Sequence, residues 1–333
     1  MNTKRINKIR LIAIVLAAVL VLLCAALAFA GNFLFNFALN PNASFTMNDL
    51  FERGSVEGVG GDAAVELSPA REDWHTYSAA AYEWYAASAE PLELPRPDGS
   101  VRRAGWFPQE GHKYAIIFHG YTGAAWQMAP FGKVYYDEGW SVLFPDALAH
   151  GESDGDYIGM GWLERSDVLD WIGGIVERDP DAEIVLHGVS MGGATVMMAA
   201  GEALPENVKC IIEDCGYSSV WDEFRLQLKN VFGLPAFPLL NAASLVCQVR
   251  AGYSFREASS VRQLQKASVP MLFIHGDADT FVPFEMLDVV YEACASAEKE
   301  KLVVHGAPHG DAADTDPELY WSTVAAFVGK YVS

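Results

Sequence analysis

The chain has 333 residues, of which 51% are hydrophobic and 20% charged, and its formal net charge is −20. This composition excludes a disordered chain, and the roughly 300 residues beyond the N-terminus are enough for one large domain with a well-buried core. The negative charge makes nucleic acid a poor partner, because a phosphate backbone would be repelled. Attachment to a membrane would therefore have to come from apolar residues rather than from charge.

The N-terminus predicts such an attachment. Four of the first ten residues are basic, and an uncharged apolar run of 20 residues follows from Leu11 to Ala30, which is long enough to span a bilayer as a helix. The next basic residue is Arg53, so the positive-inside rule predicts a single-pass anchor with a cytoplasmic N-terminus and an extracytoplasmic domain. The alternative is a cleaved signal peptide and a secreted domain, because Ala28-Phe29-Ala30 resembles a cleavage site.

The rest of the chain divides into two parts. After the anchor segment, residues 1–31, a juxtamembrane region covers 32–94 and includes one predicted helix, Trp74 to Tyr85. In residues 95–333 short apolar runs alternate with helical patterns, and this alternation predicts a mostly parallel central sheet flanked by helices, an α/β fold. The predicted strands are residues 114–118, 140–144, 184–186, 208–212, 271–274 and 302–304.

One stretch interrupts this alternation. Between about Ser218 and Arg262 there is no clear strand, and an apolar run lies at Val231 to Leu240. We interpret the stretch as an inserted, largely helical cap. Its apolar residues either roof the substrate or only pack the cap onto the body of the domain.

The motif with the most chemical content is Gly188-Val189-Ser190-Met191-Gly192, which matches G-x-S-x-G. A predicted strand precedes it and a predicted helix, Gly193 to Leu204, follows it. A sharp strand-to-helix turn exposes the serine hydroxyl, and only small residues fit two positions to either side. Ser190 is therefore the candidate nucleophile.

A serine hydroxyl needs a base, and the base needs a carboxylate to orient it. Among eight histidines we favour His309, because it lies in a loop beyond the last strand, whereas His305 ends that strand. In the loop after the preceding strand we favour Asp279 over Asp277, which lies so close to the strand end that it is also a candidate turn-stabilising residue. The order Ser, Asp, His is the one expected for this arrangement.

The tetrahedral intermediate of such a reaction needs two N–H donors for its oxyanion. One is the backbone N–H of Met191, which follows the nucleophile, and the other is predicted to be that of Tyr121, in the loop His119-Gly120-Tyr121-Thr122-Gly123.

Together these motifs resemble the α/β-hydrolase superfamily over roughly residues 95–333, and they are most similar to membrane-anchored bacterial serine hydrolases with a His-Gly-Tyr-Thr-Gly loop. The resemblance implies the α/β-hydrolase fold and a Ser-Asp-His triad, without specifying a substrate. The segment Asp146 to Ser153 resembles the family's Asp-x-Arg-Gly-His-Gly-x-Ser but departs from it at Leu148 and Ala149.

We therefore expect a serine hydrolase that cleaves small-molecule carboxylic esters without a metal or organic cofactor. A serine peptidase of the oligopeptidase-like type is the first alternative, and a non-catalytic, membrane-tethered binding protein is a distant one. The five cysteines form no Cys-x-x-Cys pair, so no zinc site is expected. The choice between free thiols and one disulfide stays open for Cys210, Cys215, Cys247 and Cys294.

Overall fold

The structure, a computed structural model, describes residues 3–52 and 68–333. Residues 53–67, which include Arg53 and part of the predicted juxtamembrane region, lie outside the described residues. The strands are β1 (Glu90–Pro95), β2 (Val101–Phe107), β3 (Lys113–Phe118), β4 (Ser141–Pro145), β5 (Glu183–Val189), β6 (Val208–Asp214), β7 (Met271–Gly276) and β8 (Lys299–Val304).

Twelve helices accompany these strands in the described part of the chain. They are α1 (Thr3–Leu39), α2 (Met47–Glu52), α3 (Pro69–Ser88), α4 (Ala129–Asp137), α5 (Glu164–Arg178), α6 (Met191–Ala199), α7 (Val220–Phe232), α8 (Ala236–Arg250), α9 (Ser260–Leu264), α10 (Glu285–Ala293), α11 (Ala312–Thr315) and α12 (Pro317–Val328).

The eight strands form one sheet in the order β1-β2-β4-β3-β5-β6-β7-β8. β2 runs antiparallel to both of its neighbours, and the other pairs are parallel. This confirms the predicted α/β fold with a mostly parallel sheet. The carboxyl ends of β3, β5, β7 and β8 therefore meet at one edge, where loops from distant parts of the sequence come together.

Alternate side chains of the buried strands pack into two layers. Ala115 and Ile117 in β3 face a layer that includes Tyr320 from α12, whereas Ile116 faces a layer that includes Trp171 from α5. Strands buried on both faces need apolar residues at consecutive positions. This requirement explains why the central strands were visible in the sequence as continuous apolar runs.

A third apolar cluster lies over the carboxyl edge of the sheet and contains the cap. Helices α7 and α8 occupy the predicted insertion, and Leu240 and Cys247 on α8 are buried against the body. Helix α7 begins at the N-cap Ser219, whose hydroxyl accepts from the Asp222 N–H, and it ends at Gly233 with φ 65°. Cys247 and the other three cysteines of the domain are free and buried.

Helix α1 continues beyond the predicted apolar run. Its segment Asn7–Leu39 is long and apolar enough to cross a membrane, and an 18-residue window within it has a mean hydropathy of 3.2. The helix does not end near Gly31, because its last two turns pack into the third cluster, where Phe35 and Leu39 are fully buried. Burying a side chain of this size contributes roughly 1.5–3 kcal/mol, so these two residues hold α1 firmly against the domain.

Candidate active site

Ser190 occupies the sharp turn between β5 and α6, with φ 57° and ψ −117°. Such a backbone is strained for any residue except glycine, and it holds the side chain clear of the chain around it. The flanking glycines are required by space. A Cβ on Gly188 would lie 2.2 Å from the Gly192 carbonyl oxygen, and one on Gly192 would lie 2.1 Å from the Phe118 carbonyl oxygen.

Two of the predicted partners lie next to this serine. The Nε2 atom of His309, in the loop between β8 and α11, is 2.8 Å from Ser190 Oγ, and its Nδ1 atom is 2.7 Å from Asp279 Oδ2. His309 and Asp279 are both buried. When Ser190 donates to Nε2, the proton on Nδ1 is donated to Asp279, so one neutral tautomer satisfies both contacts.

The Asp279 carboxylate accepts from three donors and shares the Nε2–H of His275 with the Val282 carbonyl oxygen, which lies 2.9 Å from that nitrogen. Its Oδ1 atom accepts from the backbone N–H groups of Phe281 and Val282, both at 2.9 Å, and its Oδ2 atom lies 3.1 Å from His275 Nε2 as well as beside His309. Burial raises the pKa of this carboxyl, but the hydrogen bonds from His275 and His309 outweigh it and leave the pKa below its ordinary 3.8. Asp279 is therefore negatively charged at neutral pH.

Asp277 and His305, which the sequence offers as alternatives to Asp279 and His309, lie apart from these contacts. Asp277 pairs with the exposed His305 at 2.7 Å and accepts from the Gly306 N–H at 2.6 Å. This contact braces the turns after β7 and β8, which agrees with the turn-stabilising interpretation of Asp277.

The predicted oxyanion loop passes beside the nucleophile. A Cβ on Gly120 would lie 3.4 Å from Ser190 Cβ, so the next residue, Tyr121, is held close to the serine. Met191 is the first residue of α6, and N–H groups in the first turn of a helix have no partner within the helix. The loop that contains Tyr121 is thus in contact with Ser190 through Gly120, and Met191 follows the serine directly.

Two histidines that sequence reasoning did not assign fix the conformation of this loop. His119 Nε2 accepts from the Ala147 N–H at 2.9 Å, and His150 Nε2 accepts from the Thr122 N–H at 3.1 Å. Burial lowers their pKa values to about 4 and about 3, so both rings stay neutral and keep an acceptor nitrogen. The motif Asp146 to Ser153, which contains His150, was the sequence signal for these contacts. It does not show which backbone N–H groups the histidines bind.

That motif departs from its family pattern at a position with an unusual backbone. Ala149 adopts φ 60°, in the left-handed region that glycine enters without strain. Asp146 stabilises the loop around it by accepting from the Ala125 N–H at 2.7 Å and from the Glu152 N–H at 3.0 Å.

The roof of the site comes from the juxtamembrane region, in which the sequence showed no chemistry. The Phe51 ring lies 5.7 Å from the Phe281 ring, which in turn lies 5.0 Å from the His309 ring. The hydroxyl of Tyr121 donates to the Ala38 carbonyl oxygen at 2.6 Å. Apolar composition could not reveal this role, because residues that contact lipid and residues that cover a site have the same character.

A cleft of about 410 Å³ borders the site at Tyr121. It lies between the end of α1 and the residues that follow it, on one side, and the loops at residues 121–123 and 149–155, on the other. Its lining consists of Phe37, Ala38, Asn40, Pro41, Asn42, Thr46, Asn48, Tyr121, Thr122, Gly123, Ala149, His150, Gly151, Ser153, Gly155 and Ile158.

Within the described residues, one group of three side chains has metal-ligand spacing: Cys215, Asp279 and His309, with ligand atoms within 4.8 Å of one another. Asp279 and His309 are already hydrogen-bonded to each other, and burial raises the pKa of the Cys215 thiol well above its ordinary value. A protonated thiol is a poor metal ligand, so the arrangement suits proton transfer from Ser190 better than metal binding.

Comparison with known proteins agrees with this architecture. A family model for the alpha/beta hydrolase fold matches residues 116–235, and one for the prolyl oligopeptidase family matches residues 178–332.

Two curated relatives and one solved structure are informative. The uncharacterized protein YqkD of Bacillus subtilis is 27% identical over 66% of this chain and 72% of its own length. A thermostable monoacylglycerol lipase of a Bacillus species is 22% identical over 68% and 94%. The esterase Pf2001 of Pyrococcus furiosus is 22% identical, with a TM-score of 0.62 over 81% of this chain and 96% of its own. With the family models and the sheet order, these similarities make the chain a member of the α/β-hydrolase superfamily.

Proposed function

We propose that this hydrolase cleaves carboxylic esters through an acyl-enzyme on Ser190, with His309 as the base and Asp279 as the orienting carboxylate. The observation that carries the proposal is the continuous set of contacts from Ser190 Oγ through the His309 ring to Asp279, at 2.8 Å and 2.7 Å. Asp279 is charged, and His309 Nε2 faces the Ser190 hydroxyl, which is the arrangement that proton transfer needs.

The reaction follows from these contacts. His309 takes the proton as Ser190 Oγ attacks the ester carbonyl carbon, and the N–H groups of Tyr121 and Met191 bind the oxyanion of the tetrahedral intermediate. His309 then gives its proton to the departing alcohol, which leaves an acyl group on Ser190. Water, deprotonated by the same ring, attacks the acyl group and releases the carboxylic acid. Asp279 keeps the imidazole in the productive tautomer and stabilises its charge.

The lining of the cleft next to Tyr121 favours an ester substrate. A peptidase that reads a peptide terminus needs a carboxylate to bind the ammonium group. Among the described residues that line the cleft there is no Asp or Glu, and its one histidine, His150, stays neutral. The monoacylglycerol lipase and the esterase among the similar proteins also support an ester.

The second candidate is a serine peptidase of the oligopeptidase-like type. The match of residues 178–332 to the prolyl oligopeptidase family favours it. Esters and amides are cleaved by the same set of groups, so the assay has to offer both.

We also propose that α1 anchors the protein in the cell membrane, with the N-terminus in the cytoplasm and the domain outside. Its apolar run is exposed along nearly its whole length, and basic residues precede it. The helix continues without a break into turns that are buried in the domain. This continuity supports a retained anchor over a cleaved signal peptide.

The test is hydrolysis of p-nitrophenyl esters, from acetate to laurate, and of peptide p-nitroanilides by the full-length protein in detergent. Ser190→Ala should lower ester hydrolysis by roughly 10⁴-fold or more and abolish labelling by a fluorophosphonate. The control is Ser322→Ala, an exposed serine on α12, which should behave as the wild type. Anilide cleavage that depends on Ser190 would favour the peptidase. If the wild type cleaves neither substrate and is not labelled, the binding-protein alternative replaces both.

A further inference from the structure

The position of the cap helix α8 relative to the apolar run of α1 is fixed by direct contacts. A Cβ on Gly31 would lie 2.7 Å from the backbone of Ala242, so the two helices cross in close contact. At the end of α8, Arg250 donates to the side chains of Asn32 and Asn36 at 2.9 Å and 3.1 Å, and its guanidinium lies over the Phe35 ring. The cap therefore cannot turn independently of the anchor.

These contacts all lie at the point where α1 changes its surroundings. Before Gly31 the helix is exposed on nearly all sides, whereas Phe35 is fully buried in the domain. If the exposed run spans a bilayer, the bilayer surface is close to Gly31, and α8 crosses the anchor at that level.

The side of α8 that points away from the domain carries large exposed apolar side chains, together with the exposed polar residues Asn241 and Gln248. Leu240 and Cys247 on the opposite side are buried, while Phe237, Leu245 and Val249 are exposed by 77%, 61% and 78%. Leu245 and Val249 are four residues apart and share one face of the helix. Phe237 lies at the start of α8, where its backbone (φ −89°, ψ 133°) is not helical. Leu234, just before the helix, adds a fourth exposed apolar side chain. We call these four residues the outward face.

We propose that the outward face is a membrane-docking surface, which inserts into the lipid layer crossed by α1, and that the active site takes its ester substrate from that layer as an amphipathic lipid. The proposal rests on the ester hydrolase activity and the membrane anchor proposed above. The occupant is lipid because the face adjoins the exposed apolar run of α1, including Phe29, which is 77% exposed.

Charge gives an independent argument for apolar docking. The net charge of −20 would repel the domain from anionic headgroups. Contact with the membrane must therefore come from apolar side chains that enter the acyl boundary, as in interfacial amphipathic helices. Docking should accordingly occur on zwitterionic lipid and persist in high salt.

The cap and α1 border a narrow apolar crevice of about 30 Å³. It lies between α1, α7 and α8, and Phe37, Phe232 and Leu240 are among its lining residues. At its inner end Gln227 donates to the Phe281 carbonyl oxygen at 3.0 Å, and the Phe281 ring contacts His309. Apolar side chains thus lie between the cap helices and Phe281, the residue that contacts His309, and an acyl chain on the proposed route would have to widen this crevice.

The first experiment measures docking directly. Full-length protein with Cys24→Ser and Val249→Cys carries a nitroxide in phosphatidylcholine vesicles, and electron paramagnetic resonance measures its accessibility to oxygen and to a water-soluble nickel complex. Position 249 should be protected from nickel and accessible to oxygen. The control is a nitroxide at Val289→Cys on α10, which is 47% exposed and should show the reverse. Equal accessibility of the two labels to nickel would overturn the proposal.

The second experiment tests substrate entry. The variant Phe237→Ser/Leu245→Ser/Val249→Ser should hydrolyse a monoacylglycerol in the same vesicles roughly tenfold more slowly, because its contact with lipid is weakened, and hydrolyse soluble p-nitrophenyl acetate within about twofold of the wild-type rate. Val289→Ser/Leu319→Ser is the matched control, with two exposed apolar residues replaced elsewhere. An unchanged monoacylglycerol rate, or an equal loss on both substrates, would overturn the proposed route.

The two experiments separate this inference from the proposed activity. If the wild type hydrolyses neither ester while the label at position 249 lies in lipid, the esterase proposal fails and the substrate route falls with it, but the docking surface stands. If both esters are hydrolysed and the label lies in water, the activity stands and the docking surface is wrong.

Discussion

The phenolic hydroxyl of Tyr121 donates a hydrogen bond of 2.6 Å to the backbone carbonyl oxygen of Ala38, and this bond joins the loop beside Ser190 to the last turn of helix α1. The predicted oxyanion donor is thus held from outside its own loop. Its conformation depends on whether α1 is docked.

Removal of this hydroxyl tests the connection. Tyr121→Phe keeps the backbone N–H and the ring but loses a bond worth roughly 0.5–1.5 kcal/mol, so we expect kcat/KM for p-nitrophenyl esters to fall by about 2- to 12-fold. Tyr82→Phe, an exposed tyrosine on α3, should leave the rate unchanged. The same rate for both variants would mean that the bond does not position the loop.

Replacing each of the two aspartates after β7 by asparagine should change kcat by very different amounts. Asp279→Asn should lower kcat by roughly 10³- to 10⁴-fold, because an amide N–H facing His309 favours the wrong tautomer. Asp277→Asn should change kcat by less than about twofold, since Asp277 pairs with the exposed His305 and a single surface ion pair is worth at most about 1 kcal/mol. Steady-state kinetics on one ester compares them, and a larger loss for Asp277→Asn would reverse the assignment of the carboxylate.

His275 is a positioning residue for Asp279, and its role should be visible in the pH profile. Burial raises the pKa of Asp279, and the hydrogen bond from His275 opposes that effect. In His275→Leu this contact is lost, which leaves the Asp279 carboxylate a stronger acceptor for the protonated ring of His309, so the acid limb of kcat/KM should move to higher pH. His275→Gln, which can still donate, should restore part of the shift. A loss of activity without any movement of the acid limb would indicate a purely structural role.

Glu223 should make the stability of the domain depend on pH. Burial raises the pKa of this carboxyl from 4.5 to about 8. Between these values the folded state binds a proton that the unfolded state has released, so the contribution of Glu223 to stability is present at low pH and is lost as the pH rises towards 8.

The variant Glu223→Gln mimics the protonated form. It should equal the wild type near pH 4.5 and exceed it at pH 9 by roughly 1–4 kcal/mol in the free energy of unfolding. Urea unfolding at the two pH values measures this, with the exposed Glu292→Gln as the control. A difference that stays constant with pH would contradict the buried, protonated state of Glu223.

The parts of the fold that could be predicted are those in which local sequence and tertiary environment agree. Strands β3 to β7 are largely buried, and their apolar runs were identified within a few residues, whereas only the apolar end of the edge strand β8, residues 302–304, was identified. Strands β1 and β2 were missed. β1 is an exposed edge strand with charged and proline residues, and β2 contains two consecutive arginines, of which Arg102 is buried in an ion pair with Asp167. A charge that a distant partner neutralises has no local signature.

The candidate site likewise has residues that local sequence predicts and contacts that it does not. Ser190, Asp279 and His309 were selected by motif and by chain order, and the structure brings them into contact. His275 was set aside because it ends a strand before a glycine, as His119 does. The loop contacts of His119 and His150, and the roof formed by residues after α1, depend on contacts between segments far apart in the sequence, which local pattern does not encode.

The unbroken course of α1 into the domain has a kinetic consequence. A flexible linker would let a catalytic domain search a volume above the membrane, whereas a continuous helix leaves it only rotation about the anchor and lateral diffusion. Once α1 spans a bilayer, the substrate concentration that determines the rate is therefore a mole fraction in one leaflet rather than a molarity in solution. Diluting the ester with inert lipid should slow turnover even when the total amount of ester is unchanged.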